Sequence, residues 1–352
     1  MLDVLGEQGT MVAIGLFGGV LLGLAARLGR FCSMGAIEDA FYGGSTLRLR
    51  MWLLAIGLSV AGAHALALAG LFDPGQSFYL RVRWMPLASI LGGLMFGYGM
   101  ALAGNCGYGA IARLGGGDLR AFVIVLVMGL AAYATLSGPL ALLRVAAFPQ
   151  DLLPPGESPQ GMAGLLGWVL GLSPAMAGLM MGLLLTALAL ARPDIRTFRS
   201  AGWSAGVALA ATSAWAGTAH VARHGFDGLP VTGHSFAAPI GETLLYAMTG
   251  SAGAPGFAVG SVLGVALGAF AGSLIKGHFR WEACEDPREL RRQIAGAALM
   301  GSGAVLAMGC TIGQGLSAMS VLAWSAPVTL AAIVAGAVLG LRQLIAGFQA
   351  VD

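Results

Sequence analysis

Cys32, Cys106 and Cys310 hold the same position in a frame that occurs three times without gaps, Gly-x4-Gly-x4-Leu-x3-Cys-x2-Gly. The copies are GGVLLGLAARLGRFCSMGAI (18–37), GGLMFGYGMALAGNCGYGAI (92–111) and GAALMGSGAVLAMGCTIGQG (296–315). Their last fixed residues are Gly35, Gly109 and Gly313. In a chain with 57 glycines the glycine matches alone mean little, but three of only four cysteines in register are not a product of composition. A thiol is a weak S–H donor. Weak donors repeated along a path can replace part of an anion's hydration shell without trapping it. A cysteine can also take up a sulfane sulfur as a persulfide, so solute transport and sulfur transfer are both open on chemistry alone.

Spacing argues against other cysteine and histidine chemistry. No pair forms C-x-x-C or a zinc-type spacing, and His220 with His224 is the one i, i+4 histidine pair. No metal or cofactor is expected. Cys284 falls outside the frame, in the charged run FRWEACEDPRELRR, and is expected to have no role in the chemistry.

Each cysteine follows an apolar helix and precedes a small-residue stretch too short to span a membrane. The pattern predicts a helix that breaks at the cysteine and re-enters as a half-helix. Broken backbone at membrane depth is tolerated only where it is buried in protein or lines a cavity. A half-helix there aims free N–H groups and a positive dipole end at the cavity, which favours an anion. Asn105, Thr311 and Gln314 flank the cysteines and can either bind a solute or cap a half-helix. Arg113, seven residues past Cys106, can draw an anion to a pore mouth. Glu38 and Asp39 read as local partners of Arg30 and Arg27, and His64 as a polar contact between helices.

The elements that hold these residues are membrane helices. Of 352 residues 57% are apolar and 10% charged, against about 25% charged in soluble domains. A net charge of +3 from 19 cations and 16 anions gives no basic face, which excludes nucleic acid. Apolar windows near 11–28, 51–70, 87–104, 121–143, 161–190, 201–219, 256–275, 293–310 and 327–346 predict nine spans in an all-α polytopic fold with inverted internal repeats. Fifteen cations fall in alternate loops and the C-terminal tail, against four on the other side. By the positive-inside rule the N-terminus is periplasmic and the C-terminus cytoplasmic. The first two copies then run outside to inside and the third runs back.

Residues 1–143 read as a first repeat half with the Cys32 and Cys106 motifs, and 144–160 as a Pro-rich linker. Residues 161–255 read as connecting spans and an outer loop, with a short re-entrant or amphipathic helix over His234 to Thr249. Residues 256–352 form the second half with the Cys310 motif. A fourth copy is expected near 256–284, without its cysteine. Gly260, Gly264, Gly268 and Gly272 there read as helix-packing glycines.

At GRFCSMGA (29–36), LAGNCGYG (102–109), FRWE (279–282) and LMGSGAVLAMGCTIGQGLS (299–317) the chain resembles the YeeE/YedE family of bacterial inner-membrane sulfur-compound transporters. The resemblance covers essentially the whole chain. It implies import of thiosulfate, or a related sulfur anion, by successive contact with the three cysteines, Cys310 at the outer end and Cys106 and Cys32 in an order the sequence does not fix, often beside a small cytoplasmic sulfur-carrier protein of the TusA type. A membrane sulfur-transfer protein, or a carrier of sulfite or a selenium compound, are the alternatives. Two positions depart from the family: Asn105 and Met308 stand where glycine is common, changing the size and polarity of the pocket.

Overall fold

The computed structural model describes residues 2–154, 161–251, 253–283 and 286–349. Cys284 and the end of the Pro-rich linker lie outside them. The fold is all helical: α1 (Leu2–Leu28), α2 (Ser33–Phe41), α3 (Leu47–Leu68), α4 (Phe78–Arg81), α5 (Pro86–Ala103), α6 (Gly107–Gly115), α7 (Leu119–Leu136), α8 (Ala141–Ala147), α9 (Met162–Leu170), α10 (Pro174–Leu190), α11 (Phe198–His224), α12 (Ala238–Thr249), α13 (Phe257–Ile275), α14 (Pro287–Leu306) and α15 (Ser325–Gln349). After α14 comes a half-helix over 311–320 whose middle, Gly313–Ala318, is π-helical.

Six stretches among the described residues are long and apolar enough to cross a membrane, and a seventh if α9 and α10 count as one span. With α11 and α14 these fall at the nine expected positions. Both of those helices have the length but carry too much polarity to stand out by hydropathy. α14 opens with Arg288, Glu289, Arg291 and Arg292, and α11 buries Ser200, Ser204 and Thr218 against neighbouring helices. The window 161–190 needs correcting: α9 and α10 meet at 100°. The chain turns at Gly171, whose left-handed φ of 67° suits glycine, before Ser173 and Pro174 start α10.

The helices assemble as four broken units. α1–α2–α3, α5–α6–α7 and α14–(311–320)–α15 each consist of a span, a break at the cysteine, a half-helix and a second span. The fourth is α11–α12–α13, with Phe236 and Ala237 at its break. The copy expected at 256–284 therefore has its counterpart one helix earlier, because α13 matches α3, α7 and α15 as the closing span of a unit.

Glycine contacts set the directions of packing. A Cβ added at Gly260, Gly264 or Gly268 would run into the carbonyls of Val12, Leu16 and Val20 in turn, so α1 and α13 run parallel in backbone contact. These glycines serve packing, as expected. Gly93 meets Thr329 and Gly340 meets Ala101, so α5 and α15 are also parallel. α5 and α14 are antiparallel: Gly92 faces Gly303 and Gly99 faces Gly296, each pair reciprocally. α1 and α11 are antiparallel too, since Ile14 meets Gly217 and Glu7 accepts from the N–H of Phe226. The first unit is thus paired with the fourth, and the second with the third, each pair in inverted orientation.

Candidate functional site

The three cysteines stand at the breaks. Cys32 caps α2 and Cys106 caps α6, both with extended backbone, and Cys310 opens the half-helix over 311–320. Each of α2 and α6 has nine residues, a length of about 14 Å against a hydrocarbon core of about 30 Å. The reason for the Cys-x2-Gly spacing is visible in two copies. The N–H of Gly109 donates to Cys106 Sγ at 3.4 Å, and that of Gly313 donates to Cys310 Sγ at 3.4 Å. The sulfur satisfies one of the free N–H groups at the helix start, and the glycine leaves room above it. A Cβ at Gly109 would lie 3.3 Å from Asn105 Cβ and 3.7 Å from Cys106 Sγ; one at Gly35 would strike the Arg48 guanidinium.

Cys106 and Cys310 are each 1% exposed, and Cys32 is partly buried beside them in the same apolar cluster. Cys32 and Cys310 each lie within electrostatic range of Cys106. Cys310 has a further partner from the fourth unit: the N–H of Phe236 donates to its Sγ at 3.3 Å. Tyr108, beside Cys106, packs its ring 5.7 Å from that of Phe236, and its hydroxyl donates to the Leu22 carbonyl at 2.6 Å. The fourth break, which has no cysteine, therefore helps build the surroundings of two that do.

A broken helix also leaves carbonyls without partners, and the structure supplies them. Gln314 Nε2 donates to Ala307 O at 2.8 Å and Met308 O at 3.3 Å, and Gln314 Oε1 accepts from Ser325 Oγ at 3.1 Å. Gln150, on the linker, donates to Val305 O and Leu306 O at 3.3 and 3.4 Å. Arg113 reaches Gly104 O at 3.3 Å, and Lys276 and Arg199 reach the last carbonyls of α1. Of the three polar flanking residues, Gln314 is thus the one that caps. Asn105 and Thr311, each 1% exposed, have no hydrogen-bond partner among the described residues at either amide atom or at Oγ1. Buried polar groups are rarely left so.

Two cavities flank the cysteines. One of about 680 Å³ opens on the face where α1 begins, between Gln8, Gln76, Tyr79, Glu242 and the break residues Met308 and Gly309. The other, about 550 Å³, lies on the face where α1 ends, lined by Arg27, Arg113, Arg120, Arg280 and His278 with Asp118 and Glu282. Arg120 meets Asp118 at 3.1 Å and Glu282 at 3.5 Å, and Arg280 meets Glu282 at 2.8 Å. Arg27 donates to Ser273 Oγ at 2.6 Å.

The expected partners of the nearby acids need correcting. Asp39 pairs with Arg48 at 3.1 Å, and Glu38 is in electrostatic range of Arg113 and Arg48, not of Arg27 and Arg30. The break turns α2 away from the end of α1 and toward the start of α3. The polar contact between helices expected of His64 is not formed among the described residues: Nδ1 lies 2.9 Å from Val60 O of its own helix, the ring packs against Gly178 of α10, and Nε2 has no partner there. Tyr79 and Ser235, which line the first cavity beside Cys310, carry no sequence signal. They come from a four-residue helix and an irregular loop, outside every repeat copy.

A family model described as Sulphur transport matches residues 28–339. Among curated proteins, the thiosulfate transporter TsuA of Escherichia coli (strain K12) is 26% identical over 346 residues, covering 93% of each chain. The thiosulfate transporter TsuA of Spirochaeta thermophila is 28% identical over 330 residues, covering 90% of this chain and 93% of the relative.

Proposed function

Because the chain belongs to the sulphur-transport (YeeE/YedE) family, we propose that this multi-pass membrane transporter imports thiosulfate, or a closely related sulfur anion, past Cys310, Cys106 and Cys32 in succession. The family and both relatives named thiosulfate transporter support a sulfur-compound transporter rather than an enzyme. The observation that carries the finer reading is the placement of the three thiols at helix breaks, with Cys106 in electrostatic range of both others and a cavity on either side.

In physical terms, a divalent thio-anion loses much on leaving water. Along this path it meets S–H donors, the N-terminal ends of half-helices, and the unpartnered Asn105 and Thr311. Gly109 and Gly313 give it access to their thiols, while at Gly35 the Arg48 guanidinium lies over the space beside Cys32. None of these groups is a fixed charge, so each site binds weakly enough to release the anion to the next. Arg113 stands in the cavity at the far end, with Arg27 and Arg120 as companions, and raises the local anion concentration there.

The sorting of arginines supports a bacterial inner membrane setting with the N-terminus periplasmic and the C-terminus cytoplasmic. The large cavity near Cys310 is then the entrance and the basic one the exit. A small sulfur-carrier protein of the TusA type is a fitting receiver at that exit.

The test is uptake of labelled thiosulfate in cells that lack other routes for it. Expression of this chain restores uptake above the empty vector, and unlabelled thiosulfate competes. Uptake equal to the vector at normal expression contradicts the proposal.

A further inference from the structure

Two hydroxyls from outside the cysteine-bearing copies meet the third cysteine beside the larger cavity. Ser235 Oγ lies 3.8 Å from Cys310 Sγ, and Tyr79 is in electrostatic range of the same sulfur. Both face the space left by Gly313: a Cβ there would stand 2.8 Å from Ser235 Oγ and 3.2 Å from the Tyr79 hydroxyl oxygen. Tyr79, Ser235 and the adjoining Gly309 all line the cavity, so an entering solute reaches this point.

The geometry points to a two-ended recognition site, in which the Tyr79 and Ser235 hydroxyls bind the oxygen end of a thio-oxyanion while the Cys310 thiol faces its sulfur end. This rests on the transport reading above and adds the groups that select the substrate. Cys310 Sγ already accepts the N–H groups of Phe236 and Gly313. Its lone pairs are engaged, so the thiol acts as donor, with Ser235 Oγ at 3.8 Å as its acceptor until a solute on the open side takes that place. An O–H group is a stronger donor than S–H and suits a hard oxygen acceptor, while the polarisable thiol suits the terminal sulfur. Neither hydroxyl adds a charge, which keeps the site weak enough to pass the anion on. Three separate elements supply the three groups: α4, the loop before α12 and the start of the half-helix over 311–320. The rigid fold, more than any one segment, fixes their spacing.

Tyr79→Phe and Ser235→Ala each delete one oxygen atom and little else, which makes them suitable probes. Initial rates of labelled thiosulfate uptake are measured over a range of concentrations, with expression and thermal unfolding followed in parallel. The expected result is a KM raised on the order of tenfold in each variant, with the maximal rate retained and the unfolding temperature unchanged, as for loss of one hydrogen bond to a charged ligand. An unchanged KM in both variants would overturn the inference, as would a loss of maximal rate at constant KM. Cys310→Ala in the same assay separates the two levels of argument. If it abolishes uptake while both hydroxyl variants behave as wild type, only the recognition site fails. If it transports normally, the cysteine path itself fails.

Discussion

Gly99 of α5 and Gly296 of α14 face each other reciprocally: a Cβ on either would stand 2.5 Å from the carbonyl oxygen of the other. Gly92 and Gly303 repeat the arrangement at 2.7 Å in both directions. Such reciprocity is what a pseudo-two-fold axis between two inverted helices requires, and it passes between the helices that end near Cys106 and Cys310. The obstructing atoms are backbone, which cannot rotate away.

Gly99→Val is therefore expected to force α5 and α14 apart and to cost about 1–3 kcal/mol, the usual range for overpacking. The thermal unfolding temperature of the purified protein in detergent reports it. Gly202→Ala is the matched control, since nothing lies within 4 Å of a Cβ there and alanine favours a helix. Equal stability of the two variants would contradict the packing described.

Asn105 and Gln314 look alike in sequence, each a buried amide near a motif cysteine, but they differ in what they hold. Gln314→Ala strips partners from Ala307 O, Met308 O and Ser325 Oγ, and is expected to lower stability by about 1–3 kcal/mol. Asn105→Ala removes two atoms that hold nothing, so stability stays level while the KM for thiosulfate rises. Unfolding curves and uptake kinetics on the same preparations check both. A destabilised Asn105→Ala with normal transport would reverse the assignment.

Glu242 is exposed on the wall of the larger cavity, and partial desolvation there raises its carboxyl above the ordinary carboxylate range. The folded state thus favours the protonated form, and stability falls as pH rises through the window above 4.5, the usual value. Below the raised pKa the group is neutral, and above it a negative charge faces the incoming anion. Uptake at low substrate concentration is expected to fall as pH rises through that window. Glu242→Gln flattens the profile and raises uptake at neutral pH. A variant profile with the same slope as wild type would show that the carboxylate does not face the solute.

What the sequence made legible was the part written in repeated, period-specific residues. The cysteine register located three breaks, and Cys-x2-Gly marked where each half-helix starts, because in two of the copies the glycine N–H reaches the sulfur. The relative directions of the spans followed from their alternation along the chain, and the packing of α1 with α13 and of α5 with α14 agrees with it. The fourth half-helix was expected over His234 to Thr249 and is α12, but its kinship with the other three stayed hidden because Ala237 stands where they have cysteine, so no sulfur flagged Phe236 as a neighbour of Cys310. The bend between α9 and α10 escaped because hydropathy averages over a turn of three residues, Gly171, Leu172 and Ser173. Tyr79 and Ser235 were beyond reach for another reason: they act through tertiary proximity from irregular segments, where periodicity carries no information. Which of Asn105, Thr311 and Gln314 caps a helix was likewise a question of partners, open until their positions were known.

The central claim is that the anion passes Cys106, and one substitution addresses it most directly. Cys106 is 1% exposed and packed within the main apolar cluster, so Cys106→Ala removes the thiol with little change of volume. Labelled thiosulfate uptake is compared between this variant, wild type and Cys284→Ala, all expressed to equal levels. The account predicts that Cys106→Ala loses at least about tenfold in rate and that Cys284→Ala, outside the repeat frame, does not. Import by Cys106→Ala at the wild-type rate would contradict it.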